Sequence, residues 1–221
     1  MTRLDLETAR LNMIEQQVRP WDVLDQRVLD VMAAIPREKF VDDAFRSLAF
    51  ADVELPIGHD ESMMPPRLEG RMMQALQLRD SDVVLEIGTG TGYPTACMAT
   101  LTSHVFTVEL HDDLLEKAQA RAAALSIGNV TWRQGDAAFG WPEPPGHYDA
   151  IAVTGSLPEY DPCFEQMLKP GGRLFIVVGE APVMNAMLVT RSINDSFARE
   201  TLFELNLKPL VGREKRPGFA L

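Results

Sequence analysis

Hydrophobic and polar positions divide the chain into two regions of different periodicity. In residues 25–41, apolar side chains recur at helical spacing until Pro36 ends the pattern, which predicts a helix. A second helix is predicted from Pro66 to Leu78, because prolines are tolerated in the first turn of a helix. We therefore expect residues 1–80 to be mainly helical with loops. The core-facing side chains of the second helix are predicted to be Leu68, Met72, Met73 and Leu76.

From residue 83 onward, short apolar runs alternate with helical segments. Strands separated by helices of this length predict a doubly wound, mostly parallel α/β sheet with helices on both faces. Residues 186–211 predict two or three further strands without intervening helices, and we expect these to add antiparallel strands at one sheet edge, which gives seven strands. The predicted strands are 83–87, 104–110, 129–136, 148–155 and 173–179, and the predicted helices are 94–101, 112–125 and 161–168.

The length and composition of the chain suit one globular domain. Its 221 residues are 46% hydrophobic and 24% charged, an ordinary balance for a globular protein. We interpret residues 1–221 as a single domain. Within it, 1–80 form a helical N-terminal extension that includes a loop near the site, 81–180 form the core, and 181–221 form C-terminal strands.

Net charge and the spacing of cysteines and histidines argue against several classes of function. The formal net charge of −11 repels phosphate backbones, so we expect no nucleic-acid partner. The two cysteines and four histidines show no metal-binding spacing, so we expect no metal. No uncharged run approaches the roughly 18 residues of a membrane span. Because the N-terminal stretch is charged throughout, it does not predict a signal peptide, and we expect a cytoplasmic protein.

The strongest chemical signal is the stretch 83-VVLEIGTGTGYPTA-96, a predicted strand followed by a glycine-rich turn and a helix. Gly88, Gly90 and Gly92 allow the backbone to turn sharply and to approach a ligand closely. The pattern is not the dinucleotide fingerprint G-x-G-x-x-G, and no lysine follows it as in a phosphate-binding loop. What remains is E-x-G-x-G-x-G, with Glu86 ahead of the turn.

This loop resembles that of class I S-adenosylmethionine-dependent methyltransferases, and the resemblance implies S-adenosyl-L-methionine as cofactor. An acid at the turn suits the cationic end of that molecule, which carries no phosphate. Glu109 ends the second predicted strand, where the family places an acid on the ribose hydroxyls, and Asp136 follows the third, where an acid faces the adenine amino group. The expected cofactor-binding residues in and around these strands are Glu86, Gly88, Thr89, Gly90, Gly92, Glu109, Leu110, Gly135, Asp136 and Thr154.

Segments on both sides of the loop are similar to protein-L-isoaspartate O-methyltransferases. The most specific are P-R-E-x-F-V within 36–41 and A-x-x-D followed by P-I-G within 49–58. Segments 148–158, 167–179 and 207–212 also resemble the family. The resemblance implies methylation of the free carboxylate of L-isoaspartyl residues in damaged proteins. The methyl ester then collapses to a succinimide without further help from the enzyme, which starts repair.

One stretch, 59-HDESMMPP-66, departs from the family pattern G-Q-T-I-S-x-P. Ser62 takes the threonine position and keeps a hydroxyl, so the resemblance implies that it lines the cofactor and the reaction site. Met64 takes the serine position that the family associates with catalysis, and Arg67 falls where histidine is common. Ser62 and Met64 are therefore the candidate catalytic positions, and the substitution at 64 bears on the acceptor more than on the cofactor.

Three functions remain open from the sequence. The first is isoaspartyl carboxyl methylation. It needs no general base, because a carboxylate is already ionised at pH 7, and relies on alignment and desolvation. The second keeps the cofactor but uses another carboxylate or a small-molecule acceptor, as the methionine at 64 suggests. The third is a non-catalytic module that binds the cofactor.

Overall fold

The computed structural model describes residues 3–142 and 146–214, and its N-terminal part is helical as predicted. The side chain of Asp25 accepts the backbone N–H of Arg27 and so caps the first predicted helix. The second ends at Leu76 because Gln77 adopts a left-handed conformation, and all four predicted core side chains are buried. The elements are α1 (Arg3–Met13), α2 (Gln26–Ala34) and α3 (Pro66–Leu76), with short π or 3-10 turns at Ile14–Val18, Arg19–Trp21, Arg37–Lys39 and Asp43–Leu48.

A small β-hairpin lies between these helices, where the sequence predicted only a loop. Strands β1 (Leu55–Gly58) and β2 (Glu61–Met63) pair antiparallel. The turn residues His59 and Asp60 have φ values of 55° and 60°. Two successive left-handed residues give the twist that a tight hairpin needs. Because this turn usually contains asparagine or glycine, the histidine–aspartate pair gave only a weak sequence signal.

The predicted seven-stranded, mostly parallel sheet is confirmed. Its strand order is β5-β4-β3-β6-β7-β8-β9, and the pairs from β5 to β7 are parallel. The last two strands are antiparallel additions at one edge, as predicted. The strands are β3 (Val83–Ile87), β4 (His104–Glu109), β5 (Val130–Gln134), β6 (Tyr148–Leu157), β7 (Leu168–Glu180), β8 (Val183–Arg191) and β9 (Phe197–Leu205).

Apolar side chains alternate between the two sheet faces and form two hydrophobic clusters. On one face, Val84 and Val105 pack with α2, α3 and α4 (Tyr93–Leu101), beside α5 (Asp112–Ala124). The other face, which includes Ile151, is covered mainly by the segments 137–142 and 157–168. Within the described ranges, no helix has the length and apolar character needed to cross a bilayer.

The helix predicted at 161–168 is wrong in extent. The structure has a turn and then a short 3-10 helix at Glu165–Met167. Asp161 Oδ1 accepts the backbone N–H of Cys163, which favours a turn over a continuing helix. Glu165 is then held by both a hydrogen bond from Tyr160 and an ion pair with Arg199. Strand β7 begins directly afterwards, so the segment has no room for a longer helix.

Candidate active site

All three glycines of the loop after β3 adopt left-handed backbone conformations. Their φ values are 91° at Gly88, 53° at Gly90 and 83° at Gly92. A Cβ atom on Gly88 would lie 2.3 Å from Thr154 Oγ1, and one on Gly92 would lie 2.8 Å from Ala118 Cβ. Both the conformation and the available space therefore require glycine here, and α4 starts at the next residue.

A cleft of about 760 Å³, including its open mouth, lies at the carboxyl ends of the parallel strands. It occurs where the chain order reverses between β3 and β6, the position at which doubly wound sheets bind ligands. The predicted site residues that line it are Ser62, Gly88, Gly90, Glu109, Leu110, Gly135, Asp136 and Thr154.

Glu109 is held at the cleft wall by backbone hydrogen bonds. Its Oε2 accepts the N–H of Gly90 at 2.8 Å, and its Oε1 accepts the N–H of His111 at 3.0 Å. The side chain is buried at the end of β4. Because each carboxylate oxygen has two acceptor positions, both oxygens keep one for a ligand. This arrangement suits the two hydroxyls of a ribose.

Gly135 and Asp136 follow β5 and form the next part of the wall. The Gly135 N–H donates to the carbonyl of Glu109 at 2.8 Å, which joins the two strand ends. Asp136 Oδ1 accepts the N–H of Ala138 at 2.9 Å, so its carboxylate orientation is fixed by its own loop. The second oxygen of Asp136 can accept a hydrogen bond from an amino group. Leu114 on α5 adds apolar surface between these polar groups.

Glu86, Thr89 and Gly92 are the predicted cofactor residues that do not line the main cleft. Glu86 is fully buried beneath the loop, where its Oε2 accepts the hydroxyls of Thr95 and of Thr107, the latter at 2.6 Å. Thr107 also contacts the hydroxyl of Thr89 at 2.5 Å, so Glu86 is linked to the glycine loop through threonine hydroxyls. Burial raises the pKa of Glu86 to about 8. At neutral pH its carboxyl group is therefore mainly protonated.

A smaller lobe of about 290 Å³ extends the cleft towards the hairpin and α3. The two lobes share Ser62, Gly88, Gly90 and Thr154, so these residues surround their junction. Ser62 Oγ donates to Glu54 Oε2 at 2.9 Å. The Thr154 hydroxyl lies 2.9 Å from the carbonyl of Ile87 and 2.8 Å from that of Gly88, and therefore fixes the start of the glycine loop. Thr89 and Met64 line the smaller lobe.

The position of Met64 is set by a fully buried ion pair. Arg37 and Glu69 have no exposed side-chain surface, and Arg37 Nε lies 3.0 Å from Glu69 Oε2. Arg37 Nη2 also donates to the backbone carbonyl of Met64 at 2.7 Å, and Nη1 donates to the carbonyl of Ala49. The backbone at 64 is therefore fixed, and Met64 is buried, with 6% of the residue exposed, in the wall of the smaller lobe. Gly92 lines neither lobe.

Arg67, the second departure from the family pattern, points away from the cleft. It forms an ion pair with Asp52, and its guanidinium group lies 4.5 Å from the ring centre of Trp21. Neither lobe includes Arg67 among its lining residues. The substitution at 67 therefore affects the packing beside α3, whereas the substitution at 64 affects the wall of the smaller lobe.

The structure adds cleft residues that sequence reasoning did not identify. Lys208 lines the main cleft beside the hairpin, and its ammonium group donates to the carbonyl of Asp60 and to the carboxylate of Glu61. His111 also lines the cleft, and its ring stacks on that of His59 with centres 3.9 Å apart. The resemblance of residues 207–212 to a family segment was the one signal in the sequence that pointed to this region.

The residues of the cleft fit S-adenosylmethionine. Glycines bring the backbone close at one end, and carboxylates with free acceptor positions follow at Glu109 and Asp136. No cluster of metal ligands occurs in the described parts of the chain. The glycine loop, the two carboxylates and the strand order together define a class I S-adenosylmethionine-dependent methyltransferase.

Comparisons with known proteins narrow this class. The family model for protein-L-isoaspartate(D-aspartate) O-methyltransferase matches residues 9–215, so the chain belongs to the protein-L-isoaspartate O-methyltransferase family. A protein-L-isoaspartate O-methyltransferase from Brucella anthropi is 38% identical over 214 residues, which cover 96% of this chain and 98% of that protein. Protein-L-isoaspartate O-methyltransferase 1 from Rhodopseudomonas palustris is 40% identical over 206 residues, or 93% of this chain and 84% of that protein.

A solved structure supports the same fold. It is a protein-L-isoaspartate O-methyltransferase from Plasmodium falciparum in complex with S-adenosyl-L-homocysteine. The two structures agree with a TM-score of 0.74 at 20% sequence identity, and the match covers 93% of this chain and 97% of the other. At this level of identity the likeness concerns the fold.

Proposed function

We propose that this protein methylates the free α-carboxylate of L-isoaspartyl residues in damaged proteins and peptides, with S-adenosyl-L-methionine as methyl donor. The observation that carries the proposal is the two-lobed cleft of a chain that belongs to this family along almost its whole length. The larger lobe has the polar groups for a nucleoside. The smaller lobe begins at Ser62 and Thr154, where the methyl acceptor has to meet the donor.

The larger lobe would hold the cofactor through groups that are already fixed. Glu109 would accept hydrogen bonds from the ribose hydroxyls and Asp136 one from the adenine amino group, while Leu110 and Leu114 would cover the apolar ring faces. The backbone of Gly88 and Gly90 approaches the amino acid end. In our account Glu86 supports the loop from below through Thr107 and Thr89, which replaces the direct contact expected from the sequence.

S-adenosylmethionine supplies an electrophilic methyl group bound to a positively charged sulfur. The acceptor carboxylate is ionised at neutral pH, so no residue of this chain has to remove a proton from it. The residues at the junction of the lobes orient the acceptor carboxylate towards the methyl donor and exclude water from both. Ser62 offers a hydroxyl there, and Met64 offers an apolar wall. The Met64 side chain has no N–H or O–H to donate, so the acceptor oxygen needs another anchor.

The proposed reaction implies the partner, and the free thiols support the proposed compartment. The partner is a peptide or protein that carries an isoaspartyl residue. A cleft with carboxylates at Glu61, Glu109 and Asp136 repels the phosphates of nucleic acid, which supports the expectation that none is bound. Cys97 and Cys163 are free thiols, as is usual in the reducing cytoplasm, where we place the enzyme.

The test is transfer of a labelled methyl group to a synthetic peptide with one isoaspartyl residue. A matched peptide with ordinary aspartate serves as the control. We expect a base-labile methyl ester on the isoaspartyl peptide alone, because an ester releases its methyl group in mild base and an amide or amine does not. Binding of S-adenosylhomocysteine without formation of ester on the isoaspartyl peptide would contradict the proposed function.

A further inference from the structure

We propose that Lys208 binds the carboxylate of the methyl acceptor, an inference that rests on the proposed function. Lys208 lines the main cleft, and its Nζ donates to the carbonyl of Asp60 at 2.8 Å and to Oε1 of Glu61 at 2.7 Å. Glu61 precedes Ser62 on β2, and Ser62 lies at the junction of the two lobes. The ammonium group is therefore held next to the point where the acceptor has to enter.

The charges of the cleft make Lys208 the natural anchor for an anion. Four residues with full charges line its larger lobe in the described part of the chain, and three of them are the carboxylates of Glu61, Glu109 and Asp136. The fourth is Lys208. An isoaspartyl carboxylate that approaches the junction of the two lobes is repelled by these carboxylates, and charges at short range in a partly enclosed site interact strongly. Only Lys208 supplies an opposite charge from the cleft wall.

The backbone of Lys208 is fixed by hydrogen bonds, and its ammonium group has one N–H donor left for a ligand. The carbonyl of Lys208 accepts the N–H of Ser156 at 2.9 Å, and the N–H of Leu210 donates to the carbonyl of Ser156 at 3.0 Å. An ammonium group has three N–H donors, and Asp60 and Glu61 occupy two. The side chain is 35% exposed, and one N–H donor remains for an anion.

Lys208 supplies the hydrogen-bond donor for the acceptor carboxylate that Met64 lacks. The thioether at 64 lines the smaller lobe but donates no hydrogen bond to a carboxylate. A charge-assisted bond from an ammonium group is roughly twice as strong as a neutral one. The anchor for the acceptor is thus a residue of the C-terminal segment that is held against the hairpin, rather than a residue of the loop that carries Met64.

Two substitutions that break the same ion pair separate this role from a structural one. Lys208→Gln removes the cation, whereas Glu61→Gln removes its carboxylate partner and leaves the ammonium group free. Lys169→Gln is the matched control, because Lys169 pairs with Asp149 at the same distance of 2.7 Å with a side chain that is 38% exposed and lies outside the cleft. The affinity of each variant for the isoaspartyl peptide is measured by calorimetry in the presence of S-adenosylhomocysteine, together with KM and kcat.

We expect opposite effects from the two cleft variants. Lys208→Gln weakens peptide binding and raises KM about tenfold or more, the size of effect of losing a hydrogen bond to a charged group. Glu61→Gln lowers KM or leaves it unchanged, and Lys169→Gln has no effect. Lys208→Arg restores most of the affinity. Raising the salt concentration weakens peptide binding by the wild type more than by Lys208→Gln.

If the ion pair of Lys208 and Glu61 only joins the hairpin to the C-terminal segment, both substitutions should have the same effect. If Lys208→Gln and Glu61→Gln weaken peptide binding equally, or if Lys208→Gln leaves it unchanged, the inference is overturned. Failure of the proposed function gives a different result: the wild-type protein binds the isoaspartyl peptide but forms no ester. In that case the comparison of peptide affinities still decides the role of Lys208. Wild-type protein that does not bind the peptide at all overturns both.

Discussion

The backbone N–H of Gly90 donates to Oε2 of Glu109 at 2.8 Å, so the glycine loop and the acid that ends β4 are directly joined. The loop follows β3 and the acid closes the neighbouring strand, and parallel pairing brings both to the same sheet edge. In the proposed cofactor position, the ribose would therefore contact a carboxylate whose orientation depends on the loop.

This link predicts a graded loss of cofactor affinity at Glu109. Glu109→Gln keeps one acceptor oxygen, and we expect the Kd for S-adenosylhomocysteine to rise about tenfold, whereas Glu109→Ala raises it about a hundredfold. Calorimetric titration measures both values. Glu204→Gln on the exposed face of β9 is the control and should bind like the wild type. A Kd for Glu109→Ala within about threefold of the wild-type value would sink the assignment.

The second prediction concerns the loss of stability and of cofactor binding when a loop glycine gains a side chain. Gly88→Ala places a Cβ atom against Thr154 in a left-handed conformation, so we expect a stability loss of about 1–3 kcal/mol and a large loss of cofactor binding. Gly128→Ala is the matched control, because a Cβ there meets nothing within 4 Å. Thermal unfolding and calorimetry report the two effects. Equal behaviour of the two alanine variants would show that the loop tolerates a side chain at 88.

The buried pair of Arg37 and Glu69 predicts a separation of stability from activity. Arg37→Met leaves the Glu69 carboxylate buried without its cation, which costs about 3–5 kcal/mol of unfolding free energy. The double variant Arg37→Met with Glu69→Leu regains much of that stability. It still lacks the hydrogen bond to the carbonyl of Met64, so methyl transfer stays low. Urea unfolding and the ester assay measure the two properties, and a double variant no more stable than the single one would refute the argument.

Glu86 predicts a pH dependence of stability with a definite sign. Burial raises its pKa from 4.5 to about 8 in the folded state, so the folded protein holds a proton that the unfolded chain releases between these values. The contribution of Glu86 to the free energy of unfolding is therefore fully present below pH 4.5 and is lost as the pH rises to 8. Glu86→Gln does not titrate. Its unfolding free energy relative to the wild type should therefore rise across this window and level off above it, and a difference independent of pH would contradict the prediction.

Much of the fold was predictable because it follows from local patterns. The apolar runs and the helix ends around Pro66 predicted α2, α3 and the strands of the seven-stranded sheet, and strand order then brings Glu109 and Asp136 to one cleft. Glycines at Gly88, Gly90 and Gly92 marked the turn, because few other residues adopt its backbone conformation.

What the sequence did not predict depends on contacts between distant segments. Lys208 and Glu61 are 147 positions apart, and nothing in either stretch indicates that they meet. The hairpin turn at His59 and Asp60 lacks the glycine that usually signals it. The sequence placed Glu86 at the ligand, but a strand residue points to one face or the other, and here the side chain enters the core beneath the loop.

The most direct test of the central claim follows the repair product itself. An isoaspartyl peptide is incubated with the protein and S-adenosylmethionine in water enriched in oxygen-18, and mass spectrometry locates the label. Methylation leads to a succinimide whose hydrolysis takes one oxygen from water, so we predict heavy aspartyl peptide that accumulates only when the methyl donor is present. Unlabelled, unchanged isoaspartyl peptide after prolonged incubation with active cofactor-binding protein would contradict the account.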